Sequence, residues 1–263
     1  MRLDWEIARR GYRRYAAYPA ATVAGAFTNV VFGFMKGYIL VTVFAHRSHV
    51  GGYDTADTLT YVWLAQALIM TVYAFAWFDV ALRIRSGDIA GDLTRPLDPL
   101  RYWLAFDLGR AFYHFVFRGV PPFIVGALAF HLRFPASPVV WVAFVASVAL
   151  GVVVSFAFRF LYNLASFWLL DYRGAGLLAM IVSLLFSGMI VPLAFFPSWL
   201  ATLAHALPFA AIVQTPIDVF LGKHRGFDLL GVLGLQLAWA AALLLVARAA
   251  LAAGTRRLVV QGG

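Results

Sequence analysis

Long, continuous apolar runs dominate the chain. Because an α-helix rises about 1.5 Å per residue, about 20 apolar residues are needed to cross a bilayer core of about 30 Å. Strands of a membrane barrel would instead alternate in polarity over about 10 residues, and the runs show no such alternation. The pattern predicts an all-α, polytopic membrane protein with six transmembrane helices, at residues 22–44, 58–78, 111–130, 139–170, 175–196 and 229–247. The fourth run is too long for one straight crossing, so it tilts, kinks near Arg159 or emerges past the interface.

Composition supports this class and excludes a soluble globular protein. Of the 263 residues, 63% are hydrophobic and 13% are charged, whereas a soluble domain is about half apolar and about a quarter charged. The chain has no cysteine, which excludes disulfides and thiolate chemistry. Six crossings leave little length for a soluble domain, so residues 1–263 are expected to form a single transmembrane domain.

The distribution of Lys and Arg predicts the orientation in the membrane. A net charge of +9 would indicate nucleic acid for a soluble protein, but no nucleic-acid partner is expected here, because basic residues beside spans resist translocation. With a cytoplasmic amino terminus, most of the 21 basic residues lie inside: Arg2, Arg9, Arg10, Arg13, Arg14, Arg83, Arg85, Arg95, Arg101, Arg110, Arg173, Arg248, Arg256 and Arg257. Only Arg47, Arg133, Lys223 and Arg225 lie outside, while Lys36, Arg118 and Arg159 fall within spans. Both termini are therefore predicted to be cytoplasmic.

Residues 1–21 contain five arginines and no apolar core, so they do not form a cleavable signal peptide. One interpretation is an interfacial helix whose cations lie near anionic lipid. On a helical wheel the aromatic side of that helix holds Trp5, Ala8, Tyr12 and Tyr15, and Arg9, Arg10 and Arg13 lie on another side. The alternative is a basic flank to the first span, and both interpretations stay open.

The segment 197–228 differs from the other outer loops. It contains Pro197, Pro208 and Pro216, yet it stays largely apolar. Apolar pieces of about 10 to 14 residues are too short to span a bilayer and are typical of re-entrant or interfacial helices. We therefore expect two short helices that dip back into the membrane from the outer face.

Motifs for catalysis are mostly missing from the sequence. It has no GxxxxGK[ST] phosphate loop, no HExxH zinc pair and no GxSxG elbow, so we expect no ATP hydrolysis and no metal site in this chain. His49 and Asp54 have the His-x4-Asp spacing of glycerolipid acyltransferases, in which a carboxylate orients an imidazole base. An exposed polar loop is the favoured interpretation, and a membrane-embedded acyltransferase is kept as an alternative.

Ionisable residues recur every three or four positions along the third span, at Asp107, Arg110, His114 and Arg118. This spacing places them on one face of a helix. In one interpretation this face lines a substrate route, or Arg118 forms an internal pair with Asp79 of the second span. In a second interpretation Asp107 and Arg110 lie at the membrane interface and only Arg118 is buried. The second interpretation is favoured. Lys36 and Arg159 can snorkel to the interface and receive no role.

Ion-coupled carriers place carboxylates near the bilayer midplane. The acidic residues of this chain lie in loops or near span ends, and its halves show no inverted repeat. An ion-coupled secondary transporter therefore remains only as an alternative.

The loop 82–106 is rich in both charge signs, and residues 83–103 read RIRSGDIAGDLTRPLDPLRYW. Ser86 can cap a short helix that begins near Gly87, and Asp88 suits the positive end of its dipole. Ile89 and Leu93 form an apolar pair at i,i+4, and Pro96 ends the helix. Such a helix either docks in a groove of another protein or lies against lipid as a connector.

Four segments in order resemble the permeases of bacterial ABC exporters, in the type 2 ABC transporter permease superfamily. They are IRSGDIAGDLTRPLDPLRYWLA at 84–105, FWLLDYRG at 167–174, SGMIVPLAFFPSWL at 187–200 and LPFAAIVQTPIDVFLGK at 207–223. The resemblance covers essentially the whole chain. The amino-terminal third departs most from a fixed pattern, so the resemblance does not identify a substrate.

The resemblance implies a six-span permease of the bacterial cytoplasmic (inner) membrane that is not itself an enzyme and has no cofactor of its own. ATP and Mg would be bound by a partner, an ABC ATP-binding subunit. The positions that match the family's coupling contact to that subunit are Ser86, Gly87, Asp88, Ile89, Asp92, Leu93, Arg95 and Pro96. A second permease chain, the same or homologous, would complete the pore in contact with membrane lipids.

The resemblance also implies an outer gate, and the ionisable residues at membrane depth indicate a possible translocation path. The outer gate would comprise Pro192, Phe195, Phe196 and Pro197, ahead of the re-entrant helices, and the path would include Asp79, Arg110, His114 and Arg118. The expected function is ATP-driven export of an amphipathic compound, a drug or a lipid. The direction of transport follows from the resemblance alone.

Overall fold

The computed structural model describes residues 2–44, 49–73, 75–94, 96–169 and 171–257. Within these ranges the secondary structure is helical, apart from one isolated bridge between Val50 and Tyr53. The helices are α1 (Arg2–Ala16), α2 (Pro19–Phe44), α3 (Thr55–Leu68), α4 (Asp79–Ser86), α5 (Ile89–Leu93), α6 (Pro99–His114), α7 (Val120–Ala129), α8 (Pro138–Leu164), α9 (Tyr172–Phe186), α10 (Ser198–Ala206), α11 (Gln214–Phe220) and α12 (Phe227–Thr255).

Four helical segments of the described chain are long and apolar enough to cross a membrane. They are Pro19–Thr42, Pro99–Ala129, Pro138–Phe167 and Phe227–Thr255. The two other predicted spans correspond to shorter helices, α3 with 14 residues and α9 with 15 residues. The all-α, multi-pass membrane class is confirmed.

The helix that was predicted to begin at residue 111 begins at Pro99, so the end of the predicted 82–106 loop is helical. The Asp98 carboxylate accepts a hydrogen bond from the Arg101 amide at 3.0 Å, and Pro99 at the first helical position needs no partner for an amide N–H. The second predicted span also differs, because α3 ends at Leu68 rather than near residue 78. Beyond it the backbone is irregular, and Tyr73 has a left-handed φ of 53°.

A π-helical turn, Phe115–Gly119, joins α6 to α7 within one continuous span. Pro121 and Pro122 follow the turn and lack the amide N–H groups that an α-helix would direct at earlier carbonyls. The Arg118 carbonyl oxygen instead accepts a hydrogen bond of 3.5 Å from the Asn29 side chain of α2. The turn therefore alters which way the third span presents Arg118.

The long fourth span is one continuous helix, α8, through Arg159, followed by a 3₁₀ turn at Ala165–Phe167. No helix break falls at Arg159. Of the alternatives left by the sequence, the kink is therefore not observed.

The amino-terminal segment forms α1, which packs on α6 through a crossing of two glycines. A side chain at Gly11 would overlap the Phe106 carbonyl oxygen, and a side chain at Gly109 would overlap the Ala8 carbonyl oxygen. Ile7 and Gly11 are the buried residues of α1, whereas Trp5 is 70% exposed. Tyr12 and Tyr15 of the predicted aromatic side pack against the Tyr113 and His114 rings of α6, so Trp5 is the residue of that side that departs from the buried face.

Two buried apolar clusters hold the bundle together. The larger contains Leu64, Phe144, Ile217 and Phe220 and joins α3, α8 and α11. The second joins α4, α5, α6 and α8, and its buried members include Val80, Ile89, Trp103, Phe156 and Phe160. The second cluster anchors the helices of the predicted cytoplasmic loop to α8.

Candidate functional site

Three charged side chains lie together inside the bundle, and we call them the buried charge cluster: Asp107 and Arg110 of α6 and Arg159 of α8. Arg110 donates to Asp107 at 2.7 and 3.2 Å, and Arg159 donates to it at 2.8 and 3.3 Å. All three residues are at most 4% exposed. Because a buried charge is costly unless it is paired and hydrogen-bonded, this geometry lets two guanidinium groups share one carboxylate.

The same cluster holds the irregular segment that follows α3. Arg110 donates to the carbonyl oxygens of Met70 at 2.6 Å and Thr71 at 3.0 Å. The guanidinium carbons of Arg110 and Arg159 lie 4.7 and 5.1 Å from the centre of the Tyr73 ring. Cation–π contacts of this kind are stronger away from water. The cluster therefore fixes the backbone of residues 70–73, just beyond the end of α3.

Polar side chains of α8 hold the rest of this segment. The Ser155 hydroxyl donates to the Val72 carbonyl at 2.5 Å, and Tyr162 accepts from the Trp77 amide at 2.9 Å. Asn163 donates to the Trp77 carbonyl at 2.8 Å and accepts from the Ala81 amide at 2.9 Å. Buried backbone groups need such partners. The stretch between α3 and α4, residues 69–73 and 75–78, is thus tied to α8 at three backbone atoms, and the first turn of α4 is tied at a fourth. We call this stretch the latched segment.

The remaining members of the predicted polar stripe lie apart from the charge cluster. His114 is 2% exposed, neither ring nitrogen has a hydrogen-bond partner in the described part of the chain, and its ring lies 4.7 Å from that of Tyr15. Arg118 is partly exposed, and its guanidinium lies against Gly25 of α2. The interpretation that only Arg118 is buried is wrong, because Asp107 and Arg110 are the buried members.

Asp79 does not pair with Arg118. Its carboxylate accepts a hydrogen bond of 3.2 Å from Arg14 of α1, on the protein surface. Lys36, on α2, is partly exposed. The suggested internal pair of the second and third spans is therefore replaced by a contact between α1 and the start of α4.

The predicted coupling residues form a tight surface structure between α4 and α6. Gly87 adopts a left-handed φ of 83° and ends α4, a conformation that costs glycine little. The Ser86 hydroxyl donates to the Asp88 carboxylate at 2.8 Å. The short helix α5 then begins at Ile89, later than the sequence indicated, and Ser86 ends α4 instead of capping α5.

Ile89 does not form an exposed apolar pair with Leu93. Ile89 is 1% exposed and belongs to the second apolar cluster, while Leu93 is 36% exposed. Arg83 of α4 donates to Asp92 at 2.5 and 2.8 Å, a two-bond contact that fixes α5 against α4. Of the predicted coupling residues, those exposed in the structure are Ser86, Gly87, Asp88, Leu93 and Pro96. Arg95 lies outside the described residues.

The predicted outer-gate residues lie on the connection between α9 and α10. Pro192 is buried and precedes a 3₁₀ turn, Leu193–Phe195. The Phe195 ring packs 6.1 Å from that of Tyr53 and 6.2 Å from that of Phe44. Phe196 is partly buried, whereas Pro197 is exposed and leads into α10.

Sequence reasoning missed a second buried polar group, the Tyr–Gln–Asp cluster: Tyr53, Tyr61, Gln214 and Asp218. Tyr53 donates to Asp218, and Gln214 donates to Asp218 and to the Tyr53 hydroxyl, both at 2.8 Å. Tyr61 donates to Gln214 at 2.7 Å, and the Leu193 amide donates to the same Gln214 oxygen at 2.9 Å. Burial raises the pKa of the Asp218 carboxyl.

The acyltransferase-like pair is not supported by the geometry of Asp54. Its carboxylate accepts from the Asp57 amide at 2.7 Å, capping α3, and from Arg133 at 2.7 Å. Both oxygens of the carboxylate are thereby engaged in structural contacts. His49 is exposed, as expected for a polar loop. Among the described residues no group of three or more His, Cys, Asp and Glu side chains could hold a metal ion.

The fold and these contacts define a multi-pass helical membrane protein whose polar interior fixes breaks in its helices. A family model described as "ABC-2 family transporter protein" matches residues 30–262. The chain therefore belongs to the ABC-2 family of transporter proteins, which confirms the family that the sequence motifs indicated. No curated protein and no solved structure matches the chain. Family membership makes the chain a membrane component of a transporter.

Proposed function

We propose that the chain is the permease subunit of an ATP-driven ABC exporter of the bacterial inner membrane. A separate subunit binds ATP and Mg and hydrolyses the ATP, and the permease moves an amphipathic compound, a drug or a lipid outward. The observation that carries the proposal is the rigid attachment of α5 to the latched segment. The family match supports the transporter class, and the following contacts support the mechanism.

A coupling helix must transmit a displacement to the rest of the protein without moving relative to it. Ile89 anchors α5 in the apolar cluster, and the two Arg83–Asp92 hydrogen bonds prevent it from turning on α4. The exposed surface at Ser86–Asp88 and Leu93 remains free to meet the ATP-binding subunit. A displacement of α5 is therefore passed to α4 as a unit.

Helix α4 continues directly from the latched segment. That segment is bonded to α8 through Ser155, Tyr162 and Asn163, and to α6 through Arg110. Closure of the two ATP-binding subunits would thus move the inner ends of three spans together. Alternating access follows if this movement opens the outer ends, since packed elements switch between discrete arrangements.

We further propose that the short helices α3 and α9 complete six crossings. Non-helical backbone is tolerated at membrane depth where protein buries and satisfies it. The latched segment continues α3 in this way. Beyond α9, the Gln214 side-chain oxygen accepts from the Leu193 backbone amide, and the Gln214 backbone amide donates to the Ser187 carbonyl at 2.9 Å. The Tyr61 hydroxyl lies 2.8 Å from the Gly188 carbonyl oxygen.

The segment 197–228 is proposed as the outer re-entrant element, and residues 1–21 as an interfacial element along the cytoplasmic leaflet. Helices α10 and α11, with 9 and 7 residues, are too short to span. Within residues 1–21, α1 leaves its arginines on the surface, where anionic lipid can meet them. A second permease chain, the same or homologous, would complete the pore.

An ion-coupled carrier is disfavoured by the state of Asp107. This carboxylate is buried inside the candidate span Pro99–Ala129, and a carrier would require such a buried carboxylate. However, two guanidinium groups bind it, so a transported cation would have to displace both. The acyltransferase alternative requires a free Asp54 carboxylate, and Asp54 is already bound by Arg133.

The test is co-purification from native membranes, with the bound subunits identified by mass spectrometry and ATPase activity measured. The wild-type chain is expected to bring an ATP-binding cassette subunit and to export substrate. Leu93→Asp and Asp88→Lys change the exposed surface of the coupling region, so both should lower ATPase recovery while expression is preserved. Leu203→Asp, at a residue of α10 that is 45% exposed, is the matched control.

Ile89→Ala is not a clean test of docking. Ile89 is buried in the chain, and removing a buried Ile side chain costs about 2–5 kcal/mol of stability. A wild-type preparation without an ATP-binding subunit would contradict the proposal. If both surface variants recover the ATPase fully and transport normally, α5 is only a connector and does not dock the ATP-binding subunit.

A further inference from the structure

A cavity of about 340 Å³ lies beside the Tyr–Gln–Asp cluster. Its walls come from the loop before α3, from the α10–α11 connection, from the end of α11 and from α12. Leu207, Val232, Leu235 and Trp239 contribute apolar surface, and Asp218 contributes a carboxylate. Ligand sites are commonly cavities of about 300–1,000 Å³ with apolar walls and a few polar groups. We call this space the Asp218 cavity.

Asp218 is 7% exposed and is bound only by uncharged donors. One carboxylate oxygen accepts from the Tyr53 hydroxyl, and the other accepts from Gln214. An ionised carboxylate offers about four acceptor positions, so these two bonds leave acceptor capacity toward the cavity. Charge-assisted hydrogen bonds from a cation are stronger than those from neutral donors.

The basic side chains near Asp218 already form ion pairs with other carboxylates. The Lys223 ammonium lies 3.0 Å from Asp57 and 4.0 Å from the centre of the Tyr53 ring. Arg133 lies 2.7 Å from Asp54 and 3.2 Å from Asp57. His224, which also lines the cavity, is bound to Asp228 at 2.6 Å.

These contacts leave a local charge deficit. Among the described residues, Arg133 and Lys223 pair with Asp54 and Asp57, so Asp218 has no directly bound cation, although Lys223 also lines the cavity. Helix α10 contributes His205 to the wall, and α12 contributes Gln236. The Gln236 side chain is bound to Ser147 and to the Ala211 carbonyl. One positive charge that entered the cavity would balance the ionised cluster.

The aromatic walls fit the same kind of ligand. Trp239 lines the cavity on α12, whereas Tyr53, which also lines it, already has the Lys223 ammonium 4.0 Å from its ring centre. Cations bind favourably over the faces of Trp and Tyr rings, and quaternary ammonium groups cannot donate hydrogen bonds but still make this contact. The remaining walls are apolar and suit a hydrocarbon or aromatic body.

We propose that the Asp218 cavity binds an organic cation, an amine or quaternary ammonium group on an apolar body. The cationic group lies next to Asp218, and the apolar part lies against Leu235 and Trp239. Such a group can belong to a soluble amphipathic amine or to the headgroup of an aminolipid. The site is a property of this chain and does not depend on an ATP-binding partner or on the direction of transport.

The test uses the full chain in nanodiscs of phosphatidylglycerol, which has no amine. Benzyltrimethylammonium is titrated in by calorimetry at neutral pH, with benzenesulfonate as the anionic control ligand. The wild-type chain should bind the cation and not the anion. Asp218→Asn should weaken cation binding about 10-fold or more, because it removes the charge and keeps the shape. Asp79→Asn removes a surface carboxylate that pairs with Arg14 and does not line the cavity, so it should leave binding unchanged.

A cavity-filling variant separates the loss of the site from misfolding. Leu235 is 52% exposed on α12, so Leu235→Trp fills the cavity without entering the Tyr–Gln–Asp cluster, and it should also abolish binding. Competition by added phosphatidylethanolamine would identify a lipid headgroup as the occupant, and lack of competition would identify a soluble cation. Equal binding of both ligands, no cation binding, or unchanged binding in Asp218→Asn and Leu235→Trp would overturn the proposal.

Discussion

Arg159 donates a hydrogen bond of 2.8 Å to Asp107, a residue 52 positions away in the sequence. This contact joins α8 to α6 at the point where Arg110 also binds Asp107. One carboxylate thereby holds two buried guanidinium groups, which in turn hold the latched segment. The three spans that meet here depend on Asp107 for their charge balance.

Asp107→Asn should therefore destabilise the chain strongly. The variant leaves Arg110 and Arg159 buried without their counter-charge, and breaking a buried ion pair in this way costs about 3–5 kcal/mol. The measurement is unfolding in detergent, followed by helical circular dichroism. The double variant Asp107→Asn, Arg159→Gln should recover part of the loss, since one uncompensated charge is removed.

Asp79→Asn is the matched control for that experiment. Asp79 and its partner Arg14 have side chains 35% and 54% exposed, and surface ion pairs contribute about 0–1 kcal/mol. The control should unfold close to wild type. Equal stability of Asp107→Asn and Asp79→Asn would show that the buried charge cluster is not a stabilising element.

The glycine crossing of α1 and α6 predicts a specific steric effect. Gly109→Val places side-chain atoms on the Ala8 carbonyl oxygen, so α1 must move away from α6. A single cysteine at Ile7, which is 3% exposed in the native chain, should then react with a thiol reagent several-fold faster. Gly234→Val is the control, because nothing lies within 4 Å of that position. Unchanged labelling in Gly109→Val would contradict the packing of α1.

The contact between α1 and α6 should also weaken at low pH. Two hydrogen bonds from Arg101, at 2.6 and 2.7 Å, lower the pKa of Asp4 from its ordinary 3.8 to about 2. Because the folded-state pKa is lowered, the contribution of Asp4 is fully present above pH 3.8 and is lost as the pH falls through 2. A spin label at the Ile7→Cys position should gain mobility over that range. In Asp4→Asn this part of the pH response should be missing, and its persistence there would exclude Asp4 as the cause.

The apolar runs predicted the class of fold but not where each helix ends. Residues 69–78 are as apolar as many helical stretches, yet the backbone of Val72 and Trp77 is held by Ser155, Tyr162 and Asn163 from another helix. The hydrophobicity of a segment does not show whether side chains of another helix bind its backbone. The start of α6 was readable, because Asp98 followed by Pro99 is a helix-start signal that the apolar run at 111 obscured.

The polar stripe at three- and four-residue spacing correctly placed Asp107 and Arg110 on one face. The stripe did not include Arg159, the third member of the buried charge cluster. Arg159 lies on α8 and Asp107 on α6, so local spacing could not predict their contact. A signal did exist, because Ser155, Arg159 and Asn163 recur at i,i+4 along an otherwise apolar span. For Ile89, the i,i+4 pairing with Leu93 was real in sequence, but tertiary packing turned Ile89 inward.

The orientation in the membrane is open to a direct test, because the chain has no cysteine and single cysteines can be placed without background. Ser86 is the exposed last residue of α4, and Ser198 begins α10 at an exposed position. Most basic residues lie before the first predicted span or in the segments that follow the second, fourth and sixth spans. Because such residues resist translocation, Ser86, which follows the second span, is predicted to be cytoplasmic. Ser48, a third position suited by the sequence, lies outside the described residues.

In intact cells, a membrane-impermeant maleimide should label Ser198→Cys and leave Ser86→Cys unlabelled. After permeabilisation both variants should react, since both side chains are exposed in the fold. This second step is the control, because it separates protection by the membrane from protection by a bound partner. Labelling of Ser86→Cys from outside would reverse the orientation, and the surface proposed to meet the ATP-binding subunit would then face away from ATP.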